Sequence, residues 1–351
     1  MSKTIKKCFY NKLTFQKMLE AHYRAVKNKK NKKEVVLYEM DLENNIINLI
    51  DSIKNKTYHL GKYREFKVYE PKERLIKSLP YRDRIVHQWY VEEFIKPYFT
   101  KRFIKDSYAC IETKGTHKAA IVLQKYMRIM KRKYGSYYIL KCDIKKYFYN
   151  INKDILFSIL KRSMSDKELL NFTLVLLNSE DKVGIPIGNY TSQYFANIYL
   201  NELDHYVKET LRIPYYIRYM DDFVFLLPNK EIAKETMKKI ENFIHTELQL
   251  EFNQKSKYYP STMGCNFCGY RIYETHILLR TRFKTKAKKN IKKWNQLYAT
   301  NSLNLAMVWM SWNSMLAHAS HASAYYFIVS LYKKAFFGKY LKKYSYYDIN
   351  F

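Results

Sequence analysis

The sequence predicts an α+β fold, an antiparallel hairpin core with helices before, between and after it. Two strand signals carry that prediction. Residues 137–144 (YYILKCDI) are β-branched and aromatic and break at Asp143, and residues 215–227 read as two short strands around Met220-Asp221-Asp222, a hairpin with an acidic tip. The third observation is helical periodicity elsewhere, in a chain with only 8 glycines and 7 prolines and no linker, repeat or low-complexity segment.

The elements follow in order. Residues 27–33 (KNKKNKK) are the most basic stretch, and read either as a solvated helix end or loop or as a phosphate-contacting arm. Residues 42–53 space Leu42, Ile46, Ile47, Leu49, Ile50 and Ile53 as an amphipathic helix. Residues 63–79 read as extended structure ending at Pro80, with Lys72 and Arg74 on it. Residues 84–99, 116–131 and 153–162 are helical in pattern, and the chain from Lys284 onward is helix-rich and very basic.

Composition narrows the class. At 351 residues, 47% hydrophobic and 17% aromatic, the chain has material for roughly two to three domains and a sizeable core, which excludes wholesale disorder. Lysine and arginine number 63 against 32 acids, a net charge of +31. Such a surface repels itself unless a polyanion neutralises it, and nucleic acid is the commonest one. No stretch approaches the ~18 apolar residues of a membrane span, and residues 1–10 lead into no apolar leader core, so a soluble, cytoplasmic protein is expected. Five scattered cysteines suggest no disulfide framework. Cys265 and Cys268 form one C-x-x-C, for which His318 and His321 would have to complete a zinc set; buried or idle thiols are the plainer reading.

In a chain so poor in acids, Asp143, Asp221 and Asp222 stand out among apolar strand formers. Aspartate favours turns, so an acidic pair at a hairpin tip is ordinary by itself. Its neighbours Ile217, Tyr219, Phe223, Val224, Phe225 and Leu226 are not. Carboxylates crowded against a core repel one another unless cations neutralise them. Mg²⁺ takes one or two carboxylates and completes its shell with water and phosphate oxygens; two such ions, Mg²⁺ or Mn²⁺, roughly 4 Å apart suit phosphoryl displacement.

The ordered set Tyr219-Met-Asp-Asp, Lys141-Cys-Asp-Ile-Lys-Lys-Tyr-Phe, Val68-Tyr-Glu-Pro-Lys-Glu-Arg-Leu-Ile and Pro80-Tyr-Arg-Asp-Arg-Ile-Val-His resembles the palm and fingers of a reverse transcriptase. Ile185-Pro-Ile-Gly-Asn-Tyr-Thr-Ser-Gln, Leu250-Glu-Phe-Asn-Gln-Lys-Ser and Phe267-Cys-Gly-Tyr resemble later motifs in family order. Ile187-Gly188 with Ser192-Gln193 replaces the commoner Gln-Gly with Ser-Pro. Together with Asp106-Ser-Tyr-Ala-Cys, Lys114-Gly-Thr-His-Lys and Ala317-His-Ala-Ser-His-Ala, it resembles the enzymes of diversity-generating retroelements, bacterial and phage elements within the group II intron-like reverse transcriptases.

That resemblance implies a right-hand polymerase fold: a helical, basic extension over residues 1–60, interleaved fingers and palm over 61–275, and a helical basic thumb over 276–351. It implies RNA-directed DNA synthesis, error-prone at template adenines. Asp143, Asp221 and Asp222 would serve the metals, with Asp222 the weaker or structural member. Lys72 and Arg74 would hold the incoming deoxynucleoside triphosphate, and Phe148 would sit where a ribose 2′-hydroxyl would; alone, Phe148 reads as a core aromatic. Ile187 and Gly188 would lie by the nascent pair. Lys255 matches the lysine that could protonate pyrophosphate, although Lys257 is close enough to compete. Gln193, Phe267, Gly269 and Tyr270 would touch template or primer, and Lys284, Lys286, Lys288 and Lys289 the phosphate backbone. His117 reads as a surface or packing residue that could reach phosphate.

The implied partners are template RNA, primer and cDNA, deoxynucleotides, and a small basic accessory protein oligomer. About 75 residues follow the last motif, fewer than an RNase H domain needs. A phage-defence reverse transcriptase and, from another class, a catalytically silent RNA-binding protein are the rival readings.

Overall fold

The computed structural model describes residues 4–69, 73–177 and 183–341. The chain packs as two units, each assembled from separated stretches: Met1–Glu112, Cys142–Pro214 and Thr236–Ser256 in one, Thr113–Lys141, Tyr215–Glu235 and Lys257–Phe351 in the other.

The first unit is mostly helical. Phe9, Trp89, Phe94 and Phe172 meet with ring centroids 5.2–5.8 Å apart at its centre, aromatic packing that adds to the area term. Helix Phe15–Val26 lies against helix Tyr81–Tyr90; Thr14 opens the former by accepting from the Lys17 N–H. Helix Leu42–Lys54 buries Ile46, Leu49, Ile50 and Ile53. Ile47 is 41% exposed, because it lies about 100° round the helix from Ile46 and leaves the apolar face.

Two expectations change here. The extended run is a hairpin, β1 (Arg64–Val68) paired antiparallel with β2 (Arg74–Ser78). The helix expected from Arg84 starts at Tyr81, behind Pro80, and is interrupted by a π turn, Val91–Ile95, before Lys96–Phe99. Pro97 gives the reason: it has no N–H and its ring crowds the carbonyl four residues back, so the preceding turn widens.

The second unit holds most of the two larger sheets. β3 (Tyr138–Asp143) runs into the first unit with its last two residues, and the strand order is β4-β5-β3-β6, with β4 Tyr216–Tyr219, β5 Asp222–Leu227 and β6 Lys257–Pro260. Ile139 and Leu140 of β3, Tyr216 and Ile217 of β4 and Phe223–Phe225 of β5 are all fully buried, under helix Thr116–Tyr134, which packs on β4 and β5. Burial of consecutive rather than alternate residues explains why these strands read as continuous apolar runs. A second sheet, β7 (Cys265–Phe267), β8 (Tyr270–Ile272) and β9 (Ile277–Leu279), is an antiparallel meander. Helices Thr281–Ala299, Leu305–Ala319 and Tyr325–Lys333 follow it.

Candidate active site

In the β4–β5 hairpin Tyr219 pairs with Asp222, leaving a two-residue turn, Met220-Asp221. Met220 takes the left-handed conformation such a turn requires (φ +54°). Beneath it Arg218, 0% exposed in an otherwise apolar strand, donates to the Met220 carbonyl at 3.1 Å. A buried guanidinium is costly unless its donors are used, so this contact ties the turn to the core. Asp222 is therefore the first strand residue rather than part of the tip. Its carboxylate is ion-paired with Lys141 of β3, whose ammonium also lies 5.7 Å from the Phe267 ring centre. Asp221, in the turn, is half-buried.

In the first unit, Asp143 ends β3 half-buried. Its N–H donates to Ser256 Oγ at 3.1 Å, and its carbonyl accepts from the Asn253 N–H at 2.7 Å and from Ser256 Oγ at 3.2 Å. The segment carrying Lys255 is thus strapped to the backbone of Asp143. Lys255 is exposed, its N–H donating to Asn253 Oδ1; Lys257, in the second unit, opens β6 over the Tyr259 ring at 5.9 Å.

Phe148 is half-buried, edge-on to Tyr147 at 5.7 Å, and its carbonyl accepts from the Ile185 N–H at 2.8 Å. That bond leads into the turn bearing Ile187 and Gly188. The Ile187 carbonyl accepts from the Lys77 N–H at 2.9 Å, and Gly188 (φ +133°) passes so near β2 that a Cβ would meet the Lys77 carbonyl oxygen at 2.5 Å. The close approach glycine permits here is to the protein's own backbone. Arg74 is exposed at the start of β2; Lys72 lies outside the described residues. Gln193 is exposed on helix Tyr190–His205 and accepts from Cys110 Sγ at 3.4 Å; Ser192 is buried.

In the second unit, Phe267 pairs with Tyr270 across the turn Cys268-Gly269, both left-handed at φ +47° and +89°. Phe267 and Tyr270 are fully buried. Burial pushes the Cys265 thiol up to about 11 and also raises that of Cys268, so neither is a ready thiolate. Lys284 sits 5.9 Å from the Phe327 ring centre, and Lys286, Lys288 and Lys289 are exposed on helix Thr281–Ala299.

The structure thus ties Phe148, Ile187 and Gly188 to β2, and Asp143 to the segment of Lys255, in one unit, and brings Asp222 and Phe267 to Lys141, with Asp221 in the adjoining turn, in the other. Sequence reasoning missed Arg218, Lys141 and Ser256. Arg218 carried a usable signal, a lone cation inside an apolar strand, the same anomaly that exposed the aspartates.

The donor chemistry fits a hard divalent cation: half-buried carboxylates at strand ends offer only oxygens. Among the described residues no group of three or more His, Cys, Asp or Glu side chains is arranged to hold a metal alone. Mg²⁺ ordinarily needs only one or two carboxylates besides water and phosphate.

The family model described as reverse transcriptase (RNA-dependent DNA polymerase) matches residues 54–272, more than half of the chain. No curated protein matches it. Among solved structures, apo telomerase from Candida tropicalis truncated from its C-terminal domain is similar over 66% of this chain and 59% of its own, at 14% identity and TM-score 0.49. Telomerase from Candida albicans in complex with a TWJ fragment of telomeric RNA is similar over 89% of this chain and 60% of its own, at 13% identity and TM-score 0.48. The chain therefore spans less than two thirds of the length of these telomerases. Asp143, the β4–β5 turn and the β7–β8 turn all fall within the matched span, and the chain belongs to the reverse transcriptase (RNA-dependent DNA polymerase) family.

Proposed function

We propose that this chain copies template RNA into DNA, adding deoxynucleotides to a primer 3′-hydroxyl with release of pyrophosphate. The observation that carries this reading is the β4–β5 turn, in which Arg218 and the Lys141–Asp222 pair fix the backbone that presents Asp221. Asp143 and Asp221 would hold Mg²⁺, or Mn²⁺ in its place, while Asp222 acts as a structural partner of Lys141. When bound, the ions neutralise the charge that builds on the transferring phosphoryl group. The chain's own residues do the rest. Arg74, with Lys72, would bind the triphosphate; Phe148 would crowd out a 2′-hydroxyl; Lys255 would give a proton to the departing pyrophosphate. Gln193, Phe267, Gly269 and Tyr270 would meet template and primer, and Lys284, Lys286, Lys288 and Lys289 their phosphates. On this reading residues 1–60, 61–275 and 276–351 serve as extension, fingers with palm, and thumb.

The finer assignment, an error-prone enzyme of a diversity-generating retroelement acting in the cytoplasm with a small basic accessory protein, is supported by Ile187. No helix among the described residues is long and apolar enough to cross a membrane. A glutamine amide at position 187 could donate and accept hydrogen bonds near the nascent pair; isoleucine supplies only shape. Since about 1.4 kcal/mol of differential binding is tenfold in selectivity, one lost amide contact is enough to matter.

Primer extension on RNA, with the product sequenced, tests both levels. Asp143→Asn and Asp221→Asn should each abolish incorporation while leaving RNA binding intact, and wild-type extension by either would remove the catalytic assignment. Ile187→Gln should extend comparably with fewer substitutions opposite adenine. An unchanged error spectrum would make Ile187 a packing residue.

A further inference from the structure

Two imidazoles meet one phenol in the second unit, and a third imidazole stacks on one of them. Tyr270 Oη lies 2.8 Å from His117 Nδ1, 3.1 Å from His318 Nδ1 and 2.9 Å from the His318 carbonyl oxygen. The His318 ring stacks on Tyr270 at 4.5 Å, and His321 stacks on His117 at 3.9 Å. These residues come from different elements: His117 from the first turn of helix Thr116–Tyr134, Tyr270 from β8, His318 from helix Leu305–Ala319. Gly269 makes the arrangement possible, since its missing Cβ would already stand 3.1 Å from His318 Cε1.

One hydroxyl has one proton and two lone pairs. Its three contacts are satisfied together when it donates to the His318 carbonyl and accepts from both Nδ1–H groups, which the neutral Nδ1–H tautomer and the imidazolium both supply. A second proton, on Nε2 of either ring, leaves those hydrogen bonds in place and acts by repulsion, since it puts a cation beside its neighbours, with His117 stacked on His321 at 3.9 Å and His318 5.8 Å from His117.

We propose that His117 and His318 are positioning residues that lock the β7–β8 turn to the two helices through the Tyr270 hydroxyl, and that protonating them releases the turn. The proposal deepens the polymerase reading, in which this turn holds the primer. Burial, first, and the neighbouring histidines hold both imidazoles below their ordinary value of 6.5. The sign follows: groups with depressed folded values leave the lock intact above about pH 6.5 and weaken it as pH falls through their lower folded values. The titratable groups bearing on the cluster are the imidazoles themselves and the Cys268 thiol of the turn. Helix Thr281–Ala299 contributes the uncharged Phe283 ring, 4.9 Å from His318, while its Lys284 faces Phe327.

The experiment compares the parent with a His117→Gln/His318→Gln double variant, whose amides hydrogen-bond without titrating, and with Tyr270→Phe, which keeps the ring and loses the hydroxyl. Hydrogen exchange of residues 265–272 is followed from about pH 7.5 to about pH 5.5, after correction for intrinsic rates, beside template–primer affinity. The parent should lose protection as pH falls over that range, the double variant should stay flat, and Tyr270→Phe should be deprotected throughout. Equal acid sensitivity of parent and double variant overturns the lock. Loss of protection in the parent alone, with primer affinity unmoved, upholds the lock and removes the primer-holding role from the turn.

Discussion

Arg218 carries a charge in a place where the surrounding side chains are Tyr216, Ile217, Phe223 and Val224, all fully buried. Removing the donor from such a site strands the acceptor it served, and a buried acceptor left without its hydrogen bond costs about 1–3 kcal/mol. Arg218→Met should therefore destabilise the protein by about that much and lower extension even at temperatures where it stays folded, because the Met220 carbonyl loses its donor and the turn presenting Asp221 is freed. Denaturant unfolding with kcat measured alongside would check this; full activity in a folded Arg218→Met protein would detach the turn from the guanidinium. Residues of this kind divide sharply in how well a sequence exposes them. Asp143, Asp221 and Asp222 could be picked out because acids are anomalous among strand formers. Ser256 could not, since its role is a backbone bond to a residue 113 positions away.

Elements were readable where one period governs them. The strands around Asp143 and Met220-Asp221 fall within a residue of their expected bounds, as the apolar runs dictate. The β1–β2 hairpin was not readable, because residues 69–73 contain no Asn-Gly or Asp-Gly pair to announce a turn. Nor was the π turn at Val91–Ile95, which arises from Pro97 beyond it. Helix Thr281–Ala299 is the element whose chemistry is easiest to test. It buries only Ala287 and Ile291 and exposes Lys286, Lys288 and Lys289 along with other cations. A helix that spends so little surface on packing is available to phosphates. Each phosphate neutralised releases counterions and adds about 0.7–0.9 to the salt slope of binding. Neutralising Lys284, Lys286, Lys288 and Lys289 together to glutamine should flatten the slope for template–primer by roughly three to three and a half if each meets a phosphate, measured by anisotropy across a salt series. An unaltered slope would move the footprint elsewhere, with the lysines of residues 27–33 the next candidates.

Across the whole molecule, the feature composition announces most plainly is charge, and the feature it conceals is interleaving. Residues 113–141, 215–235 and 257–351 join one packed unit although other segments separate them along the chain. Strand pairing such as Ile139 with Tyr259 is decided by fit between distant segments, which no local pattern records. Charge needs no such fit. A net +31 on 351 residues stores repulsion that the fold must withstand, and salt screens it over a length of ~8 Å at physiological strength. Three outcomes follow. Its Tm should rise with added salt in the absence of nucleic acid, and at low salt it should rise more steeply when RNA of any sequence is added, since a ligand bound only by the folded state stabilises in proportion to its occupancy. At high salt the RNA effect should fade as counterion release loses its advantage. Thermal unfolding over a grid of salt and RNA concentrations reads all three. A Tm indifferent to both would mean that the excess cations lie too far apart to repel one another appreciably, and that the excess of lysine and arginine does not serve to gather nucleic acid.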